Sequence, residues 1–326
     1  MAPMPDIESK ILAPADLVRW RRSLGGAAND LAVVTGTFDI LQPGNLSVIR
    51  RAALAAPRVC VLLEPNGDDI TPAAPGRSRH SLAERAEFAA HLRGIAAVSS
   101  FHAGTEREFL DGLRPYTWAG CVERDGGKGV ASAAAGAATE RVNVPELAGC
   151  STEEIHEAIR AGTTPVRLPA ELAAAAGAAS DEDGTCGERR GRALVSVNGC
   201  FDILHIGHAR FLAQARAMGD ELVVLVNDDA SVSRFKGPTR PVFPLAFRRA
   251  ALLELDSVDC VAAFGDDNPL GLLSRIRPDI HIKGGSFIEE RVRDERALVE
   301  SWGGRLAFCP LVDGYSTTNY IRRVLG

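Results

Sequence analysis

Two stretches of this chain are near-copies of each other. Residues 33–41 read Val-Val-Thr-Gly-Thr-Phe-Asp-Ile-Leu and residues 196–204 read Ser-Val-Asn-Gly-Cys-Phe-Asp-Ile-Leu, an offset of 163. The same offset sets Leu82-Ala83-Glu84-Arg85 under Leu245-Ala246-Phe247-Arg248 and Arg114-Pro115 under Arg277-Pro278. Near the two ends, Gly149-Cys150-Ser151-Thr152 faces Gly314-Tyr315-Ser316-Thr317 at an offset of 165. Matched pieces in one order identify a tandem duplication, so one fold must serve both halves. The length of 326 residues suits two domains of ordinary size.

The expected division is 1–162 for the first copy, 163–192 for a linker and 193–326 for the second copy. The linker holds Pro165, Pro169 and the polar run Ser180-Asp181-Glu182-Asp183-Gly184, with helical character only at 168–176. Residues 15–24 predict a short lead-in helix. In the second copy, 193–197 and 221–227 are short, apolar and rich in Val and Leu, as strands buried on both faces are. Residues 258–264, 280–283 and 305–310 are further strand candidates, and 209–218, 246–255, 270–276 and 290–301 have helical length or spacing. Strand and helix in alternation predict right-handed βαβ units. The expected fold class is α/β, with two tandem Rossmann-like, doubly wound parallel-sheet domains, whose ligands bind beyond the carboxyl ends of the strands.

Hydrophobic residues make up 46% and charged residues 24%, a balance that supports a buried core. The net charge of −5 provides no electrostatic footprint for nucleic acid. No apolar run approaches the roughly 18 residues that span a bilayer, and the first residues do not read as a secretory signal. A cytoplasmic protein without membrane contact is expected. The seven cysteines are scattered and never in C-x-x-C spacing, which predicts thiols rather than disulfides or zinc ligands.

In the second copy the first strand runs into Asn198-Gly199-Cys200-Phe201-Asp202-Ile203-Leu204-His205-Ile206-Gly207-His208. Two histidines flank a glycine where strand turns into helix. A helix N-terminus there offers backbone N–H groups and partial positive charge, so phosphate is the natural ligand. Gly207 allows close backbone approach, and the imidazoles can donate to oxygens that gain charge during displacement at phosphorus.

These residues resemble the nucleotidyltransferases with the HxGH signature, the cytidylyltransferase-like superfamily. Within it the chain is most similar to the heptose-1-phosphate adenylyltransferase domain of ADP-heptose synthesis enzymes. The likeness covers nearly all of 194–326 and rests on residues 198–208, Val226-Asn227-Asp228-Asp229-Ala230-Ser231, Lys236-Gly237, Arg240-Pro241-Val242, Pro278-Asp279, Lys283-Gly284-Gly285 and Asp313-Gly314-Tyr315-Ser316-Thr317-Thr318. The resemblance implies attack of a sugar-phosphate oxygen on the α-phosphorus of a nucleoside triphosphate, ATP before CTP, with loss of pyrophosphate. It implies that His205, His208 and Lys236 are catalytic, Lys236 acting from a mobile loop. Gly199, Cys200, Phe201, Asp202, Gly207, Asn227, Lys283, Gly284, Ser316, Thr317 and Thr318 would bind the nucleotide. Asp202, Arg248 and Ser286 are the candidates for the acceptor, with Arg248 otherwise a surface residue of an amphipathic helix. Mg²⁺ is expected on the phosphates, with no metal-binding motif in the chain. After Lys-Gly-Gly the family has an acidic residue and an aromatic where this chain has Ser286-Phe287, a departure that bears on the acceptor.

In the first copy the equivalent turn reads Gln42-Pro43-Gly44-Asn45, so Gln42 replaces His205 and Asn45 replaces His208. Neither amide can carry a proton charge. Lys283 corresponds to Gly120, while Gly36, Phe38, Asp39, Gly44, Arg85, Ser151 and Thr152 persist. The expectation is a degenerate pseudoenzyme domain that completes an internal pseudo-dimer, buttresses the active copy or binds a regulatory nucleotide, a homodimer being a further arrangement. Two other readings stay open: a CTP-dependent transferase for glycerol phosphate or phosphoethanolamine, and a non-catalytic nucleotide-binding scaffold.

Overall fold

The computed structural model of the protein describes residues 6–25, 30–64, 80–101, 105–121, 140–144, 152–163, 191–285, 289–310 and 315–325. The expected linker helix at 168–176 and Ser286 lie outside them. The chain divides into two compact units, Pro5–Ile155 and His156–Gly326.

In chain order the first unit holds α1 (Ile7–Lys10), α2 (Pro14–Ser23), β1 (Leu31–Gly36), α3 (Pro43–Ala55), β2 (Arg58–Leu63), α4 (Leu82–Ala90), β3 (Ile95–Ser100), α5 (Glu106–Leu113), β4 (Thr117–Cys121) and β5 (Glu140–Val144). Helix α6 (Thr152–Ala161) follows. The second unit continues with β6 (Leu194–Gly199), α7 (Ile206–Arg216), β7 (Glu221–Asn227), α8 (Asp229–Lys236), α9 (Leu245–Leu253), β8 (Cys260–Phe264), α10 (Leu270–Ile276), β9 (Ile280–Gly284), α11 (Glu289–Glu300), β10 (Arg305–Cys309) and α12 (Thr317–Leu325).

Each unit contains a five-stranded parallel sheet, in the orders β3-β2-β1-β4-β5 and β10-β9-β6-β7-β8. Read from the first strand of each copy, these are one topology. The strand order reverses beside β1 and beside β6, which is where an open α/β sheet forms its ligand crevice. The central strands are buried along almost their whole length, β7 from Leu222 to Asn227 and β2 from Val59 to Leu63. That accounts for their unbroken apolar sequences.

The repeat extends to backbone details. Phe38 and Phe201, both just past the first strand, have φ of 51° and 46°. Arg114 and Arg277 have φ of 46° and 49° and end their helices in the left-handed conformation. Arg85 is buried and donates to the carbonyls of Thr37 and Glu64. Arg248 is likewise buried and donates to the carbonyls of Cys200 and Asn227, which lie 163 residues further on. In both copies one arginine ties the end of the first strand to the end of the second. The alternative of Arg248 as a surface residue is therefore corrected. Its Nε also bonds Phe243 O at 3.0 Å and its Nη2 bonds Asp229 at 2.8 Å.

Strand 221–227 and helix 270–276 fall where the sequence predicted them. Helix α7 begins three residues early, at Ile206. Helix α8 was not anticipated. It starts because Asp228 caps it, accepting from Ser231 N at 2.7 Å. Lys236 therefore closes a helix, a correction to its expected place in a loop. Cys60, Cys200 and Cys309 are free thiols, whereas Cys260 is disulfide-bonded, which corrects the expectation of thiols throughout. No helix among the described residues is long and apolar enough to cross a membrane.

Candidate active site

Strand β6 ends in Gly199, where a Cβ would stand 3.0 Å from the Phe201 ring. The positive φ of Phe201 then reverses the chain toward His205, the N-cap of α7. Unlike a serine or aspartate cap, the His205 side chain makes no capping hydrogen bond. The first turn of α7 is thus not closed by its own cap, and its positive end lies beyond the carboxyl end of the sheet.

His205 and His208 stack with ring centroids 3.8 Å apart and planes 23° from parallel. Phe201 lies against His208 at 5.4 Å, and Tyr315 stacks beyond His205 at 6.2 Å. Packing among these groups pushes the His208 pKa down to about 4, so its imidazole is neutral at physiological pH. Its Nδ1 is buried without a hydrogen-bond partner among the described residues. Gly207 is needed for space: a Cβ there would be 2.7 Å from Tyr315 Cβ and 3.1 Å from His205 Nδ1.

Helix α12 brings its N-terminus to this turn. The Thr317 hydroxyl donates to Ile203 O at 3.3 Å, and Ser316 caps the helix by accepting from Asn319 N at 3.0 Å. Thr318 is exposed. Two helix N-termini thus converge beside the two histidines, an arrangement suited to a polyphosphate.

The remaining expected residues divide into two groups. Lys236 lies near enough for its charge to act on Cys200. Burial pushes the Cys200 thiol up, against the opposing charges of Lys236, Arg248 and Arg240. Cys200 Sγ and Asn227 Oδ1 are 3.9 Å apart, and Asn227 also donates to Ser231 at 3.0 Å. Lys283 donates to Asn198 at 2.8 Å, beside the exposed Gly284. Asp202 is turned inward. Its carboxylate accepts from Val242 N and Phe243 N, both at 2.9 Å, and from Arg240 Nε, pinning the 240–243 segment to the signature turn. Asp202 and Arg248 are thus bonded to the scaffold.

Sequence reasoning missed Arg240, Tyr315, His281 and Glu295. Tyr315 could have been found from its place beside Ser316 and Thr317. His281 and Glu295 come together only through strand order and helix placement.

The first copy shows what the substitutions do physically. The Gln42 side chain accepts from Gly44 N at 2.9 Å, and the Asn45 side chain accepts from Gln42 N at 3.4 Å, a reciprocal cap on α3. Pro43 removes a further N–H. Side chains thus cap the first turn of α3, whereas the His205 side chain does not cap α7.

The cytidylyltransferase-like family matches residues 196–323. The bifunctional protein HldE of Syntrophotalea carbinolica is 49% identical over 137 residues, which are 42% of this chain and 28% of that protein. The HldE of Pelobacter propionicus is 34% identical over 377 residues, covering 98% of this chain and 74% of that protein. A lipopolysaccharide core biosynthesis protein of known structure from Thermoplasma volcanium shares 29% identity over 38% of this chain and 99% of its own, with a TM-score of 0.32. The match spans little more than a quarter of the length of several of the HldE relatives. At the identity and coverage of the Pelobacter protein, the chain belongs to the HxGH nucleotidyltransferases of the cytidylyltransferase-like superfamily, in the branch related to heptose adenylyltransferases.

Proposed function

We propose that the second copy transfers a nucleotidyl group from a nucleoside triphosphate, ATP by preference, to a sugar phosphate of the heptose 1-phosphate type. An acceptor phosphate oxygen attacks the α-phosphorus, the bond from that phosphorus to the bridging oxygen of the β-phosphate breaks, and the electron pair leaves with pyrophosphate. The observation that carries the reading is the stacked pair His205 and His208 at a helix N-terminus that its own cap leaves open. The resemblance of residues 194–326 to heptose-1-phosphate adenylyltransferases directs it toward ADP-heptose synthesis, and the HldE relatives support the same family.

In this reading His205 and His208 hold the triphosphate and stabilise charge on the departing oxygens. Lys236 neutralises phosphate charge from the end of α8. The N-terminus of α12, with Ser316, Thr317 and Thr318, takes the β- and γ-phosphates. Gly199, Cys200, Phe201, Gly207, Asn227, Lys283 and Gly284 line the nucleotide site, while Asp202 and Arg248 keep its walls in register. Ser286 remains the acceptor candidate closest in sequence to the Lys283-Gly284-Gly285 turn.

No group of three or more His, Cys, Asp or Glu side chains among the described residues forms a metal site, and the Asp202 carboxylate is already bonded to Arg240, Val242 and Phe243. In this reading Mg²⁺ is carried on the substrate phosphates, as Mg–ATP. The first copy is the degenerate partner in this scheme. Turnover in single variants tests the assignment. His205→Ala and His208→Ala, each folded, should abolish pyrophosphate release, and retained turnover in either would overturn it.

A further inference from the structure

Alternation along two neighbouring strands puts four polar side chains on one face of the second sheet. Ser196 and Asn198 come from β6, His281 and Lys283 from β9, and Ser196 pairs with His281 in the parallel register. Glu295, on α11, meets this ladder from above. Ser196 Oγ is 2.7 Å from His281 Nδ1, and His281 Nε2 is 3.7 Å from Glu295 Oε2. The Glu295 carboxylate lies 2.8 Å from Lys283 Nζ, which also donates to Asn198 Oδ1 at 2.8 Å.

Ser196 and His281 are fully buried, and Glu295 is buried at 7% exposure. Burial pushes the His281 pKa down, against the pull of Glu295, so the ring is neutral. Burial alone would raise the Glu295 carboxyl, but His281 and Lys283 outweigh it and hold the group below its ordinary range. The tautomer that accepts the Ser196 hydroxyl at Nδ1 points Nε2–H toward the carboxylate across the 3.7 Å gap. Lys283, 22% exposed, and the half-buried Asn198 reach the surface at the carboxyl end of the sheet.

The first copy is an internal control. Positions 33 and 118, equivalent to 196 and 281, are Val33 and Trp118, paired in the same register and buried in one apolar cluster. Position 120, equivalent to Lys283, is glycine. This fold accepts apolar residues at the ladder positions, and a buried ion pair is seldom more stabilising than an apolar replacement of similar size. The ladder occurs in the copy that keeps its histidines and is absent from the copy that lost them. Its purpose therefore lies in the site.

We propose that Glu295 and His281 are positioning residues that hold the Lys283 ammonium, together with Asn198, at the carboxyl end of β9 for the phosphate or base of the incoming nucleotide. The proposal rests on the reading of Lys283 as a nucleotide ligand. Glu295 anchors the ammonium, and His281, braced by Ser196, orients the carboxylate.

The test is a double-mutant cycle on the full chain, with Glu295→Gln and Lys283→Met singly and together, read in two ways. In ¹⁵N–¹H spectra the Lys283 ammonium, assigned by its absence in Lys283→Met, should exchange slowly enough to be seen and should be lost in Glu295→Gln. A signal unchanged by Glu295→Gln overturns the proposal, whether or not the protein turns over any substrate. In titrations with Mg–ATP, each single variant should bind about tenfold more weakly, and the double variant no more weakly than Lys283→Met alone. Losses that multiply overturn it. Failure of the folded wild-type chain to bind Mg–ATP or Mg–CTP overturns the reading of Lys283 as a ligand, while the spectra still decide whether Glu295 holds it. If Glu295→Gln does not fold, Ser196→Val with His281→Trp installs the pair that the first copy already accommodates, and the same loss of the Lys283 signal is expected.

Discussion

His205 and His208 lie face to face with ring centroids 3.8 Å apart, and between them Gly207 leaves no room for a side chain. The Cβ of an alanine there would stand 2.7 Å from Tyr315 Cβ and press on the His205 ring. Gly207→Ala should therefore separate the rings and displace Tyr315. Pyrophosphate release is expected to fall about 100-fold, the scale of losing one transition-state donor, with a loss of about 1–3 kcal/mol of stability from the overpacking. Unchanged turnover would show that the stacked geometry is not used.

Removal of Gln42 should have the opposite profile. Its side chain caps α3 through Gly44 N at 2.9 Å, and losing such a cap costs about 1 kcal/mol. Gln42→Ala should lower the unfolding midpoint of the first unit and leave steady-state turnover within error. A marked loss of activity at equal stability would mean that the first copy takes part in the chemistry.

Part of this account was legible in the sequence and part was not, for physical reasons. The duplication, the alternation of strand and helix, and the histidine signature are local patterns, and they placed the site at the carboxyl end of β6. An amphipathic helix offers Arg248 a place on the surface or against a ligand. Nothing local reveals that its guanidinium reaches the carbonyls of Cys200, just past β6, and Asn227, at the end of β7. A clue was available in Arg85, which persists in the copy without histidines and so serves the fold. The resemblance implies a loop for Lys236, yet the Asp228 cap makes residues 229–236 helical. The alternation of Ser196 with Asn198 and of His281 with Lys283 was visible. That β6 and β9 are neighbours, with Glu295 above them, follows only from the strand order.

Asp202 tests the scaffold. Its carboxylate accepts from two backbone N–H groups and from Arg240, and it is almost wholly buried. An asparagine keeps one acceptor oxygen and cannot serve all three. Asp202→Asn should destabilise the second unit by about 2–3 kcal/mol, the scale of a buried hydrogen bond to a charged group, as read from the denaturant midpoint. A change within 0.5 kcal/mol, roughly the scatter of surface substitutions, would contradict the packing described for residues 240–243.

Acid should weaken the fold through His208. Its pKa falls from 6.5 to about 4 in the native protein. Above pH 6.5 neither state is protonated at this ring. Between 6.5 and about 4 the unfolded chain binds a proton that the folded chain refuses, so stability falls as pH falls and levels off below that window. His281, also lowered, acts in the same direction. The difference in unfolding free energy between wild type and His208→Asn, followed from pH 7 to pH 4.5, should shift steadily in favour of the variant. A difference independent of pH would show that His208 titrates normally.

The central claim is nucleotidyl transfer by the second copy. Its most direct test is pyrophosphate release by the purified full chain, with Mg²⁺ present and ATP or CTP crossed with heptose 1-phosphate, glycerol 3-phosphate and phosphoethanolamine. Release with ATP and heptose 1-phosphate, abolished by His205→Ala and His208→Ala, is the predicted result. Release confined to CTP and a phospho-alcohol would contradict the adenylyl and sugar assignment, and silence from folded protein in every combination would contradict the proposed catalysis itself.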